Sequence, residues 1–329
     1  MTLPGTESSD RPAGARTAGV PPGHLLRVSD FDPIALAAVL DLAARMKREP
    51  LAWQHSLRGA AVGCSFEKPS TRTRVSLAVA AHRLGMTTVM LNKEEMQLGH
   101  GETWEDTVRV LSSYFDALTL RTFDHGTVER MAGIATVPVI NTLSNDHHPC
   151  QSLADLLTLA EHFGTPVGLR AAFIGDGRSN TCNSFLEACA GAGMHLTIAS
   201  PPGYEADPGL VAAARRTMQR TGGSVEFAGD PVEAVRQADV VYAEVWVPMD
   251  RPQERAERVR RFAAYRVDAE LLSHAGADTV VLHCLPAVRG EEITSDVLDG
   301  PQSLVWRQAA NRLPTAQAVL HTLITGAAD

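Results

Sequence analysis

Two α/β domains, each a doubly wound parallel sheet flanked by helices, form the fold class this sequence predicts. Three observations carry that reading. Short apolar runs alternate with amphipathic stretches along almost the whole chain, the pattern that gives parallel sheets covered on both faces. The length of 329 residues corresponds to two domains at about 150 residues each. Hydrophobic residues make up 44% and charged residues 21%, enough apolar material for two cores.

The elements follow in order. Residues 1–23, rich in Pro, Gly, Ser and Thr, read as a disordered tail with no apolar region of a secretory signal. Ser29-Asp30 is expected to cap a helix from Pro33 to Lys47, whose apolar face is Leu36, Val39, Leu40, Leu42 and Ala43. Strands of a first sheet are expected at Ala60–Ser65, Thr87–Leu91, Ala117–Arg121 and Val137–Ile140. Those of a second are expected at Ala171–Ile174, His195–Ala199, Ser224–Phe227, Val240–Ala243 and Thr279–Leu282. Between them, helical periodicity marks Arg74–Leu84, Glu105–Tyr114, Ser184–Ala192 and Gly209–Arg220. A helix from Gln151 to His162, closed by Gly164 and Pro166, joins the halves, and a last helix covers Thr315 to Leu323. The division is therefore residues 24–150, residues 151–311, and a C-terminal helix, 312–325, that packs back on the first domain.

Charge and cysteines narrow the function classes. The net charge is −8, from 30 Lys+Arg and 38 Asp+Glu, which argues against a nucleic-acid or anionic-membrane partner. No apolar stretch reaches the length of a membrane span. Five cysteines (Cys64, Cys150, Cys182, Cys189 and Cys284) are odd in number and form no Cys-x-x-Cys pair, as expected of a reduced cytoplasmic protein.

Ligands of open α/β sheets bind beyond the carboxyl ends of strands, and four segments stand there. Phe66-Glu67-Lys68-Pro69-Ser70-Thr71-Arg72-Thr73-Arg74 runs from a strand into a helix; hydroxyls, backbone N–H groups and guanidinium at a helix start make an anion site, or else a solvated cap. His147-His148-Pro149-Cys150-Gln151 opens the linking helix, as a site or a plain helix-start turn, and no partner is spaced to complete a tetrahedral metal site. His283-Cys284-Leu285-Pro286 follows a strand of the second half, where a lone Cys is either packing or chemistry. Gly175-Asp176-Gly177-Arg178-Ser179-Asn180 begins like a dinucleotide fingerprint, but Asn180 stands where its third Gly belongs.

Together and in this order, with Asn311-Arg312 before the final helix, these segments resemble the aspartate/ornithine carbamoyltransferase family, and its ornithine branch most closely. Further support comes from Gln97-Leu98-Gly99-His100-Gly101-Glu102, Val137-Pro138-Val139-Ile140-Asn141 and Val245-Trp246-Val247. The resemblance runs from about Leu25 onward. It implies a transferase that uses carbamoyl phosphate, no metal and no organic cofactor. By similarity, Ser70, Thr71, Arg72 and Thr73 cradle the phosphate with Arg121, and Gln97 is lent to a neighbouring subunit's site, which implies a homotrimer. Arg121, His148, Gln151 and Arg312 match the residues around the carbamoyl group, with Gln151 holding its NH2. Cys284 and the carbonyl of Leu285 match those that orient the incoming amine.

The acceptor end departs from the ornithine pattern of Asp, three residues, then Ser-Met-Gly. Here the segment is Glu244-Val245-Trp246-Val247-Pro248-Met249-Asp250. Asn180 and Met249 are retained for the acceptor, while Glu244 adds one methylene, about 1.5 Å of reach. Pro248 removes a hydroxyl and an N–H, and Asp250 replaces a Gly. The expected reaction is carbamoyl transfer to the side-chain amine of an ornithine-like diamino acid. Two acceptors stay open: a shorter one such as 2,3-diaminopropionate in specialised metabolism, or ornithine itself, giving citrulline for arginine metabolism. An aspartate acceptor would be repelled by Glu244 and Asp250. A non-catalytic regulatory or assembly subunit is the reading from another class, against which the intact donor residues stand. An NAD-dependent oxidoreductase lacks the third Gly.

Overall fold

The computed structural model describes residues 23–92, 101–248 and 251–326. The expected tail, Gln97, Met249 and Asp250 lie outside them. Two separate sheets are present, one of four strands in the order β2-β1-β3-β4 and one of five in the order β7-β6-β5-β8-β9. The first comprises β1 (Ala61–Phe66), β2 (Thr87–Leu91), β3 (Ala117–Arg121) and β4 (Val139–Leu143). The second comprises β5 (Arg170–Ile174), β6 (His195–Ala199), β7 (Ser224–Ala228), β8 (Val240–Ala243) and β9 (Val280–His283). Every pairing is parallel. Each sheet therefore turns all its carboxyl ends to one edge, where the loops carry the four motifs.

Eight of these nine strands and most of the helices fall within two residues of expectation, and the departures have physical causes. Helix α1 (Pro33–Arg48) is capped by Asp32, whose carboxylate accepts from the N–H groups of Ile34 and Ala35. Ser29 and Asp30 do not cap it; Asp30 instead accepts from the N–H groups of Leu26 and Arg27, closing a short turn of its own. β4 begins two residues late because Pro138 has no N–H for the ladder and contributes only its carbonyl, to Leu118.

Four helices matter for the site. α2 (Arg72–Arg83) follows β1, and α5 (Pro149–Phe163) joins the two sheets. α6 (Asn180–Ala192) starts four residues before the expected Ser184, on a cap by Ser179, whose hydroxyl accepts from the Cys182 N–H. The last helix, α12 (Val305–Thr325), begins ten residues before the expected Thr315 and runs through Pro314. An interior proline costs about 3 kcal/mol; here α12 packs on α1, α2 and α5, and thirteen of its residues, Arg312 among them, are buried there. The Trp246, Tyr242, Phe173 and Phe185 side chains are fully buried around the second sheet.

Candidate active site

A cavity of about 870 Å³ opens between the carboxyl ends of the two sheets. Its first wall begins where β1 hands over to α2. Thr71 occupies the cap position without a side-chain cap bond, which leaves the first N–H groups of α2 for a ligand. Ser70, Thr71, Arg72 and Thr73 all line the cavity, with Lys68, Arg121 from the end of β3, His148 and Arg312. Arg121 and Arg312 are buried. Burial, with Arg312 and Arg72 alongside, pulls the Arg121 guanidinium down to about 10. Burial likewise lowers Arg72 and Arg312. His148 lies well below its ordinary value because it is buried and faces Arg312, Arg121 and Arg72, so its imidazole is neutral. Its Nδ1 and the Nε of Arg121 are buried with no hydrogen-bond partner. This wall collects positive charge that the protein does not neutralise, an arrangement that a small anion completes.

Arg312 is held by two bonds, Nη1 to Gln151 Oε1 at 2.6 Å and Nη2 to Thr73 Oγ1 at 2.7 Å. Gln151 in turn donates Nε2 to Asp155 at 2.8 Å. Asp155 also accepts from Gln308 and Tyr242, and burial raises its carboxyl to about 6. The polar network under this wall therefore ties α2, α5, α12 and β8 together.

The opposite wall holds a buried acid. Glu244 follows β8 and is only 3% exposed. Its carboxylate accepts from the Cys284 thiol at 3.9 Å, and Thr181 reaches the same sulfur at 3.9 Å. Burial and the neighbouring Asp176 and Glu292 push Glu244 well above the ordinary carboxylate range. Burial and Glu244 raise Cys284 as well. Leu285 adopts φ 56, an uncommon conformation for a non-glycine residue, and its N–H donates to His283 Nδ1 at 2.8 Å. The Gly175-Asp176-Gly177 turn serves this wall rather than a dinucleotide. Gly175, at φ +146, leaves room for Glu244, whose Cβ would stand 2.9 Å from any Cβ added there.

Comparison with known proteins accords with this geometry. Residues 23–161 match the carbamoyl-P binding domain of aspartate/ornithine carbamoyltransferases, and residues 167–323 match their Asp/Orn binding domain. The chain belongs to the aspartate/ornithine carbamoyltransferase family. An ornithine carbamoyltransferase of Acidothermus cellulolyticus is 51% identical over 304 residues, 92% of this chain and 97% of that one. The solved ornithine carbamoyltransferase of Pyrococcus furiosus superposes with a TM-score of 0.86 at 43% identity, over 90% of this chain and 95% of that one. That of Gloeobacter violaceus gives 0.83 at 42%, over 92% and 99%.

In this carbamoyltransferase, Ser70, Thr71, Arg72, Thr73, Arg121, His148, Asn180, Glu244, Pro248, Cys284, Leu285 and Arg312 all line one cavity, although Ser70 and Cys284 are separated by most of the chain. Gln151 departs from expectation. It is 2% exposed and does not line the cavity; its Oε1 is engaged by Arg312 and its Nε2 by Asp155. It holds the Arg312 guanidinium. Asn180 lines the cavity, but its Nδ2 already donates to the Ser144 carbonyl at 2.7 Å.

Sequence reasoning missed Arg258, in helix α9 (Arg255–Phe262). It lies buried against Asp176 at 2.7 Å, Glu254 at 2.7 Å and the Trp246 carbonyl at 3.0 Å. The signal was the cluster of charges in Arg255-Ala256-Glu257-Arg258-Val259-Arg260-Arg261, which reads as a solvated helix until its buried partner is known. Among the described residues no helix is long and apolar enough to cross a membrane.

Proposed function

We propose that this carbamoyltransferase transfers the carbamoyl group of carbamoyl phosphate to the side-chain amine of ornithine, giving citrulline and phosphate. The observation that carries this is the placing of charge in one cavity: buried Arg121 and Arg312 with half-buried Arg72 line one wall, and buried Glu244 with half-buried Cys284 lines the other. The first suits a dianionic phosphate and the second a cationic amino acid. The names of the relatives support ornithine as the acceptor. In this reading residues 24–150, with the C-terminal helix, serve the donor and residues 151–311 the acceptor. A homotrimer completed by Gln97 is part of the same reading.

The chemistry follows from the walls. The phosphate sits on the α2 N-terminus among Ser70, Thr71, Arg72 and Thr73. The carbamoyl oxygen faces neutral His148, Arg121 and Thr73, which stabilise the negative charge that grows as the amine nitrogen attacks the carbonyl carbon. The new C–N bond forms, the C–O bond to phosphate breaks, and the departing phosphate takes the proton from nitrogen. Attack requires a neutral amine, so the pocket must lower a pKa that is about 10.4 in water.

A second reading, transfer to a shorter diamino acid, is favoured by one observation. The longer Glu244 brings its carboxylate to 3.9 Å from Cys284, so the group that binds one nitrogen stands beside the group that orients the other. Ureido-product formation with carbamoyl phosphate against ornithine, lysine, 2,4-diaminobutyrate, 2,3-diaminopropionate and putrescine separates the readings. Preference for ornithine supports the first, preference for a shorter diamino acid supports the second, and no product with any overturns both.

A further inference from the structure

One face of α6 carries Asn180, Asn183, Ser184 and Glu187, positions at i, i+3, i+4 and i+7 that share a helix stripe. The stripe is polar and largely buried, and it does not point to solvent. Asn180 Nδ2 donates to the Ser144 carbonyl at 2.7 Å, and Asn183 Nδ2 donates to the Asp146 carbonyl at 3.0 Å. The Ser184 hydroxyl accepts from the His148 N–H at 2.7 Å. Alternate residues 144, 146 and 148 of the loop before α5 are thus gripped in turn. Glu187 extends the same stripe to the short turn before α1, accepting from the N–H groups of Val28 and Ser29.

The His148 N–H has Ser184 as its acceptor, and both residues are buried. An amide there without a partner costs about 1–3 kcal/mol, so the loop is held tightly at the residue whose imidazole meets the three arginines. Asn180 uses one of its two amide hydrogens on Ser144 and keeps the other, while its side chain also lines the cavity. A carboxylate bound at Asn180 is therefore one helical turn from Ser184, whose hydroxyl holds the His148 backbone.

We propose that Ser184 and Asn183 are positioning residues for His148, and that α6, through them and Asn180, links acceptor occupancy to the placement of the imidazole that polarises the carbamoyl group. The inference rests on the donor site proposed above. A displacement of about 1 Å at such a group costs on the order of 10²-fold in rate.

The test is steady-state kinetics of Ser184→Ala, Ser184→Thr and Asn183→Ala in the full chain, with binding of inorganic phosphate measured in parallel. Ser184→Ala is expected to lower kcat at least tenfold, with the KM for carbamoyl phosphate and the phosphate Kd unchanged within about twofold. Ser184→Thr, which keeps the hydroxyl, is expected to recover most of that loss. Asn183→Ala is expected to lower kcat a few-fold in the same way, and it decides the matter should the Ser184 variants fail to fold. Unchanged kcat in the Ala variants overturns the inference while leaving the proposed function intact. So does a kcat loss matched by an equal loss of phosphate affinity, which marks general loosening. Absence of turnover in the unaltered protein overturns both.

Discussion

The two walls of the cavity treat buried charge in opposite ways. The wall lined by half-buried Arg72 and buried Arg121 and Arg312 gathers three guanidinium groups, and burial lowers all three, Arg121 also through the other two. The acceptor wall buries Glu244 beside Asp176 and Glu292, and burial raises it. Both walls therefore hold charge at a cost that the empty protein does not recover. On the function proposed above, each is stabilised by the substrate charge it lacks, a dianion on one side and an ammonium on the other. Binding energy of this kind is available for orientation and for the reacting carbon between the walls.

The comparison breaks most severely at Arg312, the residue through which the donor wall is joined to Thr73 and Gln151. Arg312→Gln is expected to lower kcat by about 10³-fold, the scale of a lost oxyanion donor. Steady-state turnover measures it, and a loss under tenfold means the donor wall works without its clamp.

On the acceptor wall, Glu244→Gln is expected to lower kcat/KM for the diamino acid by about 10²-fold, the loss of a charge-assisted contact, with the KM for carbamoyl phosphate unchanged. The pH profile sharpens this. Glu244 is raised, so it gains a proton as pH falls through a value above the ordinary carboxylate range, and the site loses its negative charge. In the unaltered protein kcat/KM for the acceptor declines on that acid side; in the glutamine variant this limb is absent. An identical limb in both assigns it to another group.

Glu187 supplies the smallest effect and a control, a buried acid outside the cavity whose partners are all from the protein. Burial raises it to about 7, and accepting bonds from Ser29 and Val28 only partly offset this. The folded state binds this proton more tightly than the unfolded state does, so its share of stability is present at acid pH and is lost as pH rises from about 4.5 through about 7. Glu187→Gln, which resembles the protonated acid, is expected to gain Tm relative to the unaltered protein as pH goes from 5 to 8, by a few degrees. Thermal melts at the two pH values check it, and a constant difference between the proteins refutes it.

What was legible in the sequence divides along the same line between local and distant causes. β2, β3, β6 and β8 stood out because apolar runs and flanking turns are local. The start of α6 did not. Its first turn, Asn180-Thr181-Cys182-Asn183, lacks apolar periodicity because its polar side chains face the Ser144–His148 loop instead of a core. The hold of Gln151 on Arg312 was illegible for a similar reason. Its oxygen is claimed by Arg312, a residue 161 positions away, and no local pattern reports that. Arg258 was missed because one buried arginine among exposed ones has no signature until Asp176 is placed beside it. Residues that line the cavity were readable from motif order, whereas residues that hold those residues were not.

The bond between Arg312 and Thr73 spans 239 residues of chain. At a synthesis rate of about 5–20 residues per second, the ribosome makes Thr73 on the order of ten to fifty seconds before it makes the guanidinium that bonds it. During that interval the nascent first sheet already carries Ser70 to Thr73, yet it has no α12 to cover α2. The growing chain is thus born with this cavity wall incomplete and closes it only when α12 folds back onto a surface made early.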